Sequence, residues 1–120
     1  MELYNRSIGA WGEKIAANYL KKQGYSVITT NQRLGRDEID IIAKIKSRWI
    51  FVEVKTRTST VVGGAEEQIT RQKIKALKRA VFLYCRQNRL NPENTRADFV
   101  AVDIKREQKL AKIKHFKDIF

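Results

Sequence analysis

Apolar residues recur along the first part of the chain at the spacing of an amphipathic helix. Residues 8–22 carry large apolar side chains at that spacing, and Gly24 follows as a stop signal. Small residues run beside the apolar face, which would let the helix approach a sheet closely. The large residues are Ile8, Trp11, Ile15, Tyr19 and Leu20, and the small residues are Gly9, Gly12, Ala16 and Ala17.

The rest of the pattern predicts five strands and a second helix. The strand-like runs are residues 25–31, 38–45, 49–55, 97–104 and 110–116, of which the last is the weakest. Thr70 is the predicted N-cap of a helix reaching about Asn88, and residues 56–68, with their small and polar side chains, are predicted to form a mobile loop. This order predicts one α/β domain over residues 1–120, a sheet flanked by helices.

The second and third strands are expected to pair as an antiparallel hairpin closed around Lys46 and Ser47. A one-residue slip would mix polar and apolar faces, so the pattern itself selects the register. On the charged face, Asp40 then lies opposite Glu53, and Glu38 lies opposite Lys55. The apolar face pairs Ile39 with Val54, Ile41 with Val52, and Ala43 with Ile50.

Two carboxylates directly opposite each other, with Cβ atoms ~5 Å apart, repel unless something offsets their charge. A divalent cation such as Mg²⁺ or Mn²⁺ would do so, because it prefers oxygen ligands and keeps positions for water and phosphate. Lys55, two residues beyond Glu53, could then hold a water or stabilise charge on a phosphate oxygen. The alternative is an ordinary strand end whose surface ion pairs are worth under ~1 kcal/mol each.

Composition constrains the expected cellular location of the protein. The 120 residues include a single cysteine, Cys85, so no intrachain disulfide can form. Residues 1–10 do not read as a signal peptide, and no apolar run approaches the length of a membrane span. We therefore expect a soluble cytoplasmic protein with no membrane association; the oligomeric state is open, with a homodimer as one option.

The charge of the chain predicts a polyanionic partner. Twenty-five Lys and Arg against thirteen Asp and Glu give a net charge of +12, which favours nucleic acid first and an anionic membrane second. The membrane reading is weak, because the sheet needs the apolar face of the second helix for its core. Basic residues along that helix are either a solvated face or phosphate contacts; for DNA contact we single out Arg71, Lys75 and Lys78.

Taken together, these motifs resemble the YraN-like family of bacterial proteins, within the PD-(D/E)XK nuclease superfamily and related to Holliday junction resolvases. The resemblance runs over nearly the whole chain, and its two central blocks are the most specific. One departure is Asp37, where the family usually has glycine. The matching residues are Gly12-Glu13, Asn31, residues 37–43 (DEIDIIA), residues 51–57 (FVEVKTR), Ile69-Thr70 with Lys73, residues 96–102 (RADFVAV) and His115-Phe116.

The resemblance implies a restriction-endonuclease-like αβββαβ core and a catalytic site. The implied metal ligands are Asp40, Glu53 and the main-chain carbonyl of Val54, with Lys55 as the catalytic lysine and Glu13 as the helix acid that binds a second metal or assists proton transfer. Within the matching blocks, Arg57 and Lys73 join the predicted DNA contacts.

We therefore expect a Mg²⁺- or Mn²⁺-dependent nuclease acting on DNA, with branched or other structured DNA, including single strands, as substrate by family analogy alone. The rival hypothesis is a non-catalytic nucleic-acid-binding accessory protein that retains the nuclease fold. The two differ in one simple property, since a pure binder has no reason to hold a cation at Asp40 and Glu53.

Overall fold

The computed structural model describes residues 2–58 and 64–120. Two α-helices and five strands account for most of them, and none of the helices in these ranges is both long and apolar enough to cross a membrane. The elements are α1 (Glu2–Lys22), β1 (Ser26–Leu34), β2 (Asp37–Ile45), β3 (Arg48–Thr58), α2 (Arg71–Gln87), β4 (Thr95–Lys105) and β5 (Leu110–Phe116).

The five strands form one mixed sheet in the order β1-β2-β3-β4-β5. Neighbouring strands are antiparallel except β3 and β4, which run parallel. Parallel neighbours need a crossover between them, and α2 supplies it. The predicted αβββαβ order with a flanked sheet is confirmed and is compatible with a restriction-endonuclease-like core.

Helix α1 packs on one face of the sheet. Ala16 and Leu20 are fully buried there against Ile41, Ile50 and Val52, among others. The prediction that small residues let this helix approach the sheet closely is confirmed at Gly12. A Cβ added there would lie 2.8 Å from Thr56 Cβ.

The ends and faces of α1 differ in part from the sequence prediction. The helix ends at Lys22 as predicted, with Gly24 at φ +95°, but it begins at Glu2 rather than at residue 8. Trp11, predicted to face the core, is 48% exposed. Helical spacing groups Trp11 with the core residues, but it cannot show which of these residues the sheet covers.

Helix α2 covers the opposite face. Thr70 caps it as predicted, because its hydroxyl accepts a hydrogen bond from the Lys73 N–H at 3.1 Å. Leu77, Val81 and Tyr84 pack against Phe51 and other residues of the sheet. The two helices thus divide the core into two layers, one on each side of the sheet.

The β2–β3 hairpin has the predicted register, with Lys46 at φ +56° in its turn. Pairing runs from Ile45–Arg48 to Ile41–Val52, and the strands separate beyond that point. The assignment of Ile39 to the same face as Ile41 is wrong, because Ile39 packs beneath α2 while Ile41 packs beneath α1. Side-chain alternation is broken at Asp40, and a strict period of two could not predict this irregularity.

Segment boundaries differ in two further places. Strand β1 continues to Leu34, past the predicted end at residue 31, and Asn31 within it has φ +52°. The segment predicted as a mobile loop, 56–68, instead extends β3 to Thr58 and forms a 3₁₀ helix at Ala65–Gln68, with Ala65 buried. Residues 59–63 of that prediction lie outside the described residues.

A buried polar network fastens the C-terminal strand to the rest of the sheet. Asp98 of β4 is completely buried and accepts hydrogen bonds from Arg96 at 2.9 Å to each carboxylate oxygen and from the Asp118 N–H at 3.0 Å. His115 Nε2 lies 2.7 Å from Asp98 Oδ2, and its Nδ1 lies 3.0 Å from the Tyr19 hydroxyl. We call this group, with Tyr25 on Arg96, the Asp98 network.

Candidate metal-binding and catalytic site

A cavity of about 700 Å³ opens where β2 and β3 separate. It is bounded by α1 on one side and by the start of α2 on the other. The predicted acids Glu13, Asp40 and Glu53 and the predicted Lys55 all line it. The remaining lining residues are Ile8, Gly9, Val54, Thr56, Arg57, Thr58, Gln68 and Lys73.

Asp40 takes its position from the separation of the strands. Regular pairing ends at Ile41–Val52, and beyond it the Val54 N–H donates to Asp40 Oδ2 at 2.8 Å. A side-chain oxygen therefore accepts the hydrogen bond where a backbone carbonyl would otherwise be expected. The expected adjacency of Asp40 to β3 holds, although the two strands are no longer paired through their backbones at this level.

Three carboxylates, including that of Asp40, lie close together in the site. Glu13, Glu38 and Asp40 each offer an oxygen, and these oxygens all lie within 4.8 Å of one another. The sequence left two readings of Glu38 open, a residue beside the metal ligands or an ion-pair partner of Lys55; its carboxylate lies with those of Glu13 and Asp40. We call these three residues the acidic cluster.

Asn31 completes the wall of the acidic cluster. With its amide nitrogen turned inward, it lies 3.0 Å from Glu13 Oε2 and 3.3 Å from Glu38 Oε1. Its left-handed backbone conformation, which asparagine adopts more readily than most residues, accompanies this position. In the sequence Asn31 stands out only as part of a family motif, because its positive φ cannot be predicted from the sequence.

Crowded negative charge changes the titration of the site. Burial raises the pKa of Asp40 to about 7, with the Glu53 carboxylate adding to the rise and the Val54 N–H opposing it. Burial also raises the pKa of Glu13, helped by Glu38 and opposed by the hydrogen bond from Asn31. Burial and the neighbouring carboxylates therefore disfavour the ionised forms of both acids.

Glu53 differs from the acidic cluster because cations stand beside it. Burial raises its pKa, whereas the ammonium groups of Lys73 and Lys55 lower it. Lys55 lies two residues along β3 from Glu53, and Lys73 comes from the first turn of α2. The cavity thus has an acidic side at the cluster and a mixed side at Glu53.

The donor set fits a hard divalent cation. Every side-chain candidate ligand is a carboxylate oxygen, and oxygen is the ligand type preferred by Mg²⁺, Mn²⁺ and Ca²⁺. Burial and neighbouring carboxylates raise the pKa values of Glu13 and Asp40, and a cation at the cluster would stabilise their ionised forms. The acidic cluster could therefore hold a metal ion; the part of Glu53 and of the Val54 carbonyl as ligands stays a prediction.

The predicted DNA contacts fall in different surroundings. Arg71, Lys75 and Lys78 are exposed on α2, and half-buried Lys73 lines the cavity. Arg57 is only 9% exposed and holds both oxygens of Asp103, at 2.8 and 3.0 Å. Its guanidinium therefore already serves the contact between β3 and β4.

Asp37, the departure from the family pattern, adds no charge to the cavity. Arg79 of α2 donates to its two carboxylate oxygens at 2.8 and 2.9 Å. The hydrogen bonds from Arg79 lower the pKa of Asp37. The carboxylate thus links β2 to α2 outside the acidic cluster.

Comparison with known proteins gives a consistent family match. A model of the uncharacterised protein family UPF0102 matches residues 12–102. A UPF0102 protein of Syntrophomonas wolfei is 40% identical over 117 residues, covering 97% of this chain and 99% of the relative. A UPF0102 protein of Alkaliphilus oremlandii is 35% identical over 116 residues, covering 97% and 99%.

Among solved structures, Pyrococcus furiosus SfsA in complex with Ca²⁺ is similar, with a TM-score of 0.40 and 15% identity, over 94% of this chain and 63% of that chain. Similarity at this level carries no functional information.

Proposed function

We propose that this chain, which belongs to the uncharacterised protein family UPF0102, is a metal-dependent nuclease that hydrolyses phosphodiester bonds in DNA. Membership in this family confirms the YraN-like resemblance. The observation that carries the proposal is the cavity itself, which half-buried carboxylates with raised pKa values line together with Lys55 and Lys73.

Phosphodiester hydrolysis needs positive charge at the phosphate and a positioned water. Bound at the acidic cluster, with Glu53 as a further predicted ligand, Mg²⁺ or Mn²⁺ would supply Lewis-acid charge and lower the pKa of water. Lys55 and Lys73 would contribute positive charge from the opposite side of the cavity. The site then combines two sources of positive charge around a volume large enough for a phosphate group.

The chain's own residues divide the work. Lys55 would orient the attacking water or stabilise charge on a phosphate oxygen. Glu13, whose raised pKa leaves it able to accept or release a proton closer to neutral pH, would assist proton transfer. Asn31 would hold the Glu13 carboxylate in place.

DNA is the proposed substrate because of the charge of the whole chain. A net charge of +12 favours a long polyanion, and exposed basic residues follow α2 away from the cavity. Branched or structured DNA, in repair or recombination, is proposed by family analogy alone.

The acidic cluster favours a nuclease over a non-catalytic accessory protein. A surface that only binds DNA gains nothing from a cluster of carboxylates next to phosphate, since each would repel the ligand. A cation at the cluster removes that conflict, which is why cation binding distinguishes the two functions.

The test combines calorimetric Mn²⁺ titration with cleavage of linear, nicked, flapped, single-stranded and four-way DNA, with and without Mn²⁺. We expect Mn²⁺ binding and Mn²⁺-dependent cleavage of at least one substrate. Absence of both results in the wild-type protein would exclude the nuclease and leave the accessory protein.

Variants then assign the roles. Asp40→Asn and Glu53→Gln should abolish cleavage and weaken Mn²⁺ binding, whereas Lys55→Ala should abolish cleavage and leave Mn²⁺ binding largely intact. Glu93→Gln, at an exposed carboxylate outside the cavity, is the matched control and should change neither. Equal loss of Mn²⁺ binding in Lys55→Ala and Asp40→Asn would contradict these roles.

A further inference from the structure

An aromatic residue stands among basic residues on the outer face of α2. Phe82 is 62% exposed, although phenylalanine is normally buried. Phe82 belongs to a row of residues that follow one another at intervals of three or four positions, so successive residues of the row are neighbours on the helix surface. We call this row the aromatic–basic stripe; it consists of Arg71, Lys75, Lys78, Phe82 and Arg86, all exposed.

The stripe is separate from the surfaces that the fold uses. The core-facing side of α2 is formed by other residues, including Leu77, Val81 and Tyr84. Arg79, adjacent in sequence to Lys78, turns instead to Asp37 and is neutralised. The cations of the stripe have no comparable carboxylate among the described residues.

A second exposed aromatic ring extends the surface. Phe120 is 47% exposed, and Lys78 Nζ lies 5.4 Å from its ring centroid. Lys78 is also one helical turn from Phe82. Two exposed aromatic residues therefore lie close to one lysine.

We propose that the aromatic–basic stripe, with Phe120, binds single-stranded DNA by stacking unpaired bases on the rings while the basic residues contact phosphates. Single-stranded nucleic acid presents both a polyanionic backbone and free base faces, and stacking on aromatic side chains is its usual mode of binding. Duplex DNA offers the phosphates but keeps its base faces stacked internally. A second copy of this chain would bring another +12 charges against the stripe.

This inference rests on the proposed function in one respect, since it specifies the substrate as DNA with an unpaired segment. The stripe runs about 16 Å along α2 from Phe82 to Arg71. Arg71 is two residues from Lys73, which lines the cavity. An unpaired strand held on the stripe would thus lead to the end of the helix where the cavity lies.

The test measures DNA binding in EDTA, so that it does not depend on cleavage. A labelled thymidine oligonucleotide of about 20 nucleotides, longer than the binding site of typical single-strand-binding folds, is compared with a duplex of equal length by fluorescence anisotropy. Phe82→Ala should weaken single-strand binding about tenfold, the loss of roughly one stacked base. Duplex affinity should stay within about twofold, because the substitution leaves the phosphate contacts of the stripe in place.

Further variants separate stacking from charge. Phe82→Trp should retain the affinity for single-stranded DNA. Lys78→Gln should weaken the binding of both single-stranded and duplex DNA and reduce the salt dependence of binding. Leu110→Ala is the matched control, since Leu110 is an exposed apolar residue on β5, outside the stripe. It should leave both affinities unchanged.

Three results would overturn the inference: unchanged single-strand affinity in Phe82→Ala, an equal loss for both ligands, or a dimer in sedimentation that Phe82→Ala dissociates. The outcome is distinguishable from that of the nuclease proposal. Phe82-dependent binding without any cleavage would retain the stripe and reject the nuclease, whereas cleavage without a Phe82 effect would do the reverse.

Discussion

Buried Asp98 and half-buried Asp40, two carboxylates of the same sheet, have opposite electrostatic surroundings. Burial alone would raise the pKa of Asp98, but hydrogen bonds from His115, Arg96 and the Asp118 N–H outweigh it and lower that pKa. Asp40 accepts one backbone N–H and otherwise faces acids, so its pKa rises to about 7. Burial alone would raise the pKa of both residues. The neighbouring groups decide whether the net shift in pKa is downward or upward.

The difference separates a structural role from a functional one. The Asp98 network satisfies its charge within the protein and ties α1, β4 and β5 together. The acidic cluster leaves its charge unsatisfied, which costs stability and is typical of sites that receive a ligand. Titratable groups with uncompensated charge are therefore the better guide to function in this chain.

The largest expected effect is at Asp98. Asp98→Asn removes the charge that holds Arg96 and His115, and should lower the free energy of unfolding by about 3 kcal/mol. Denaturant unfolding at pH 7 measures this, with Asp118→Asn as control because only its backbone N–H enters the network. If Asp98→Asn lowers the free energy of unfolding no more than Asp118→Asn does, the Asp98 network does not stabilise the fold.

Asp40→Asn should raise the free energy of unfolding when no metal is present, whereas Asp98→Asn should lower it. The folded pKa of about 7 lies above the ordinary 3.8, so the folded state binds more protons and wild-type stability falls as pH rises from about 4 to 7. The variant lacks this loss and should be more stable by about 1–3 kcal/mol at pH 8, with little difference near pH 4.

Thermal unfolding in EDTA at several pH values measures the Asp40 effect. Saturating Mn²⁺ should reverse the order, because binding stabilises only the wild type substantially. A difference between the two proteins that does not change with pH would show that the Asp40 carboxyl titrates normally.

Gly12→Ala should disturb the acidic cluster from the helix side. The added methyl would collide with Thr56, so α1 must shift away from β3 and carry Glu13 with it. We expect a loss of about 1–3 kcal/mol in stability from overpacking, together with weaker Mn²⁺ binding.

Gly9→Ala is the matched control for Gly12→Ala. A Cβ at Gly9 meets nothing within 4 Å, so this change should stabilise the helix by about 0.5–1 kcal/mol. Equal effects at the two glycines would show that close approach of α1 does not position Glu13.

The smallest effect is expected at Asp37. Asp37→Gly restores the residue usual in the family and releases Arg79, but Asp37 lies outside the acidic cluster. Mn²⁺ affinity should therefore stay unchanged in calorimetry. A clear change in affinity would place Asp37 among the groups that control the metal site.

By itself, the sequence determined the order of elements, the N-cap at Thr70 and the hairpin register, because each depends on neighbouring residues or on one period of alternation. It also predicted that Asp40, Glu53 and Lys55 would meet, since strand pairing and the family motifs agree on them, and the family resemblance added Glu13.

Only the tertiary structure decided what depends on contacts distant in sequence. Beyond Ile41–Val52, where β2 and β3 separate, Ile39 packs beneath α2 and the Glu38 carboxylate lies near that of Glu13. Likewise, exposed Phe82 and buried Asp98 are distinguished by what packs on them. Local spacing carries no information about those partners, because the chain brings them together only when it folds.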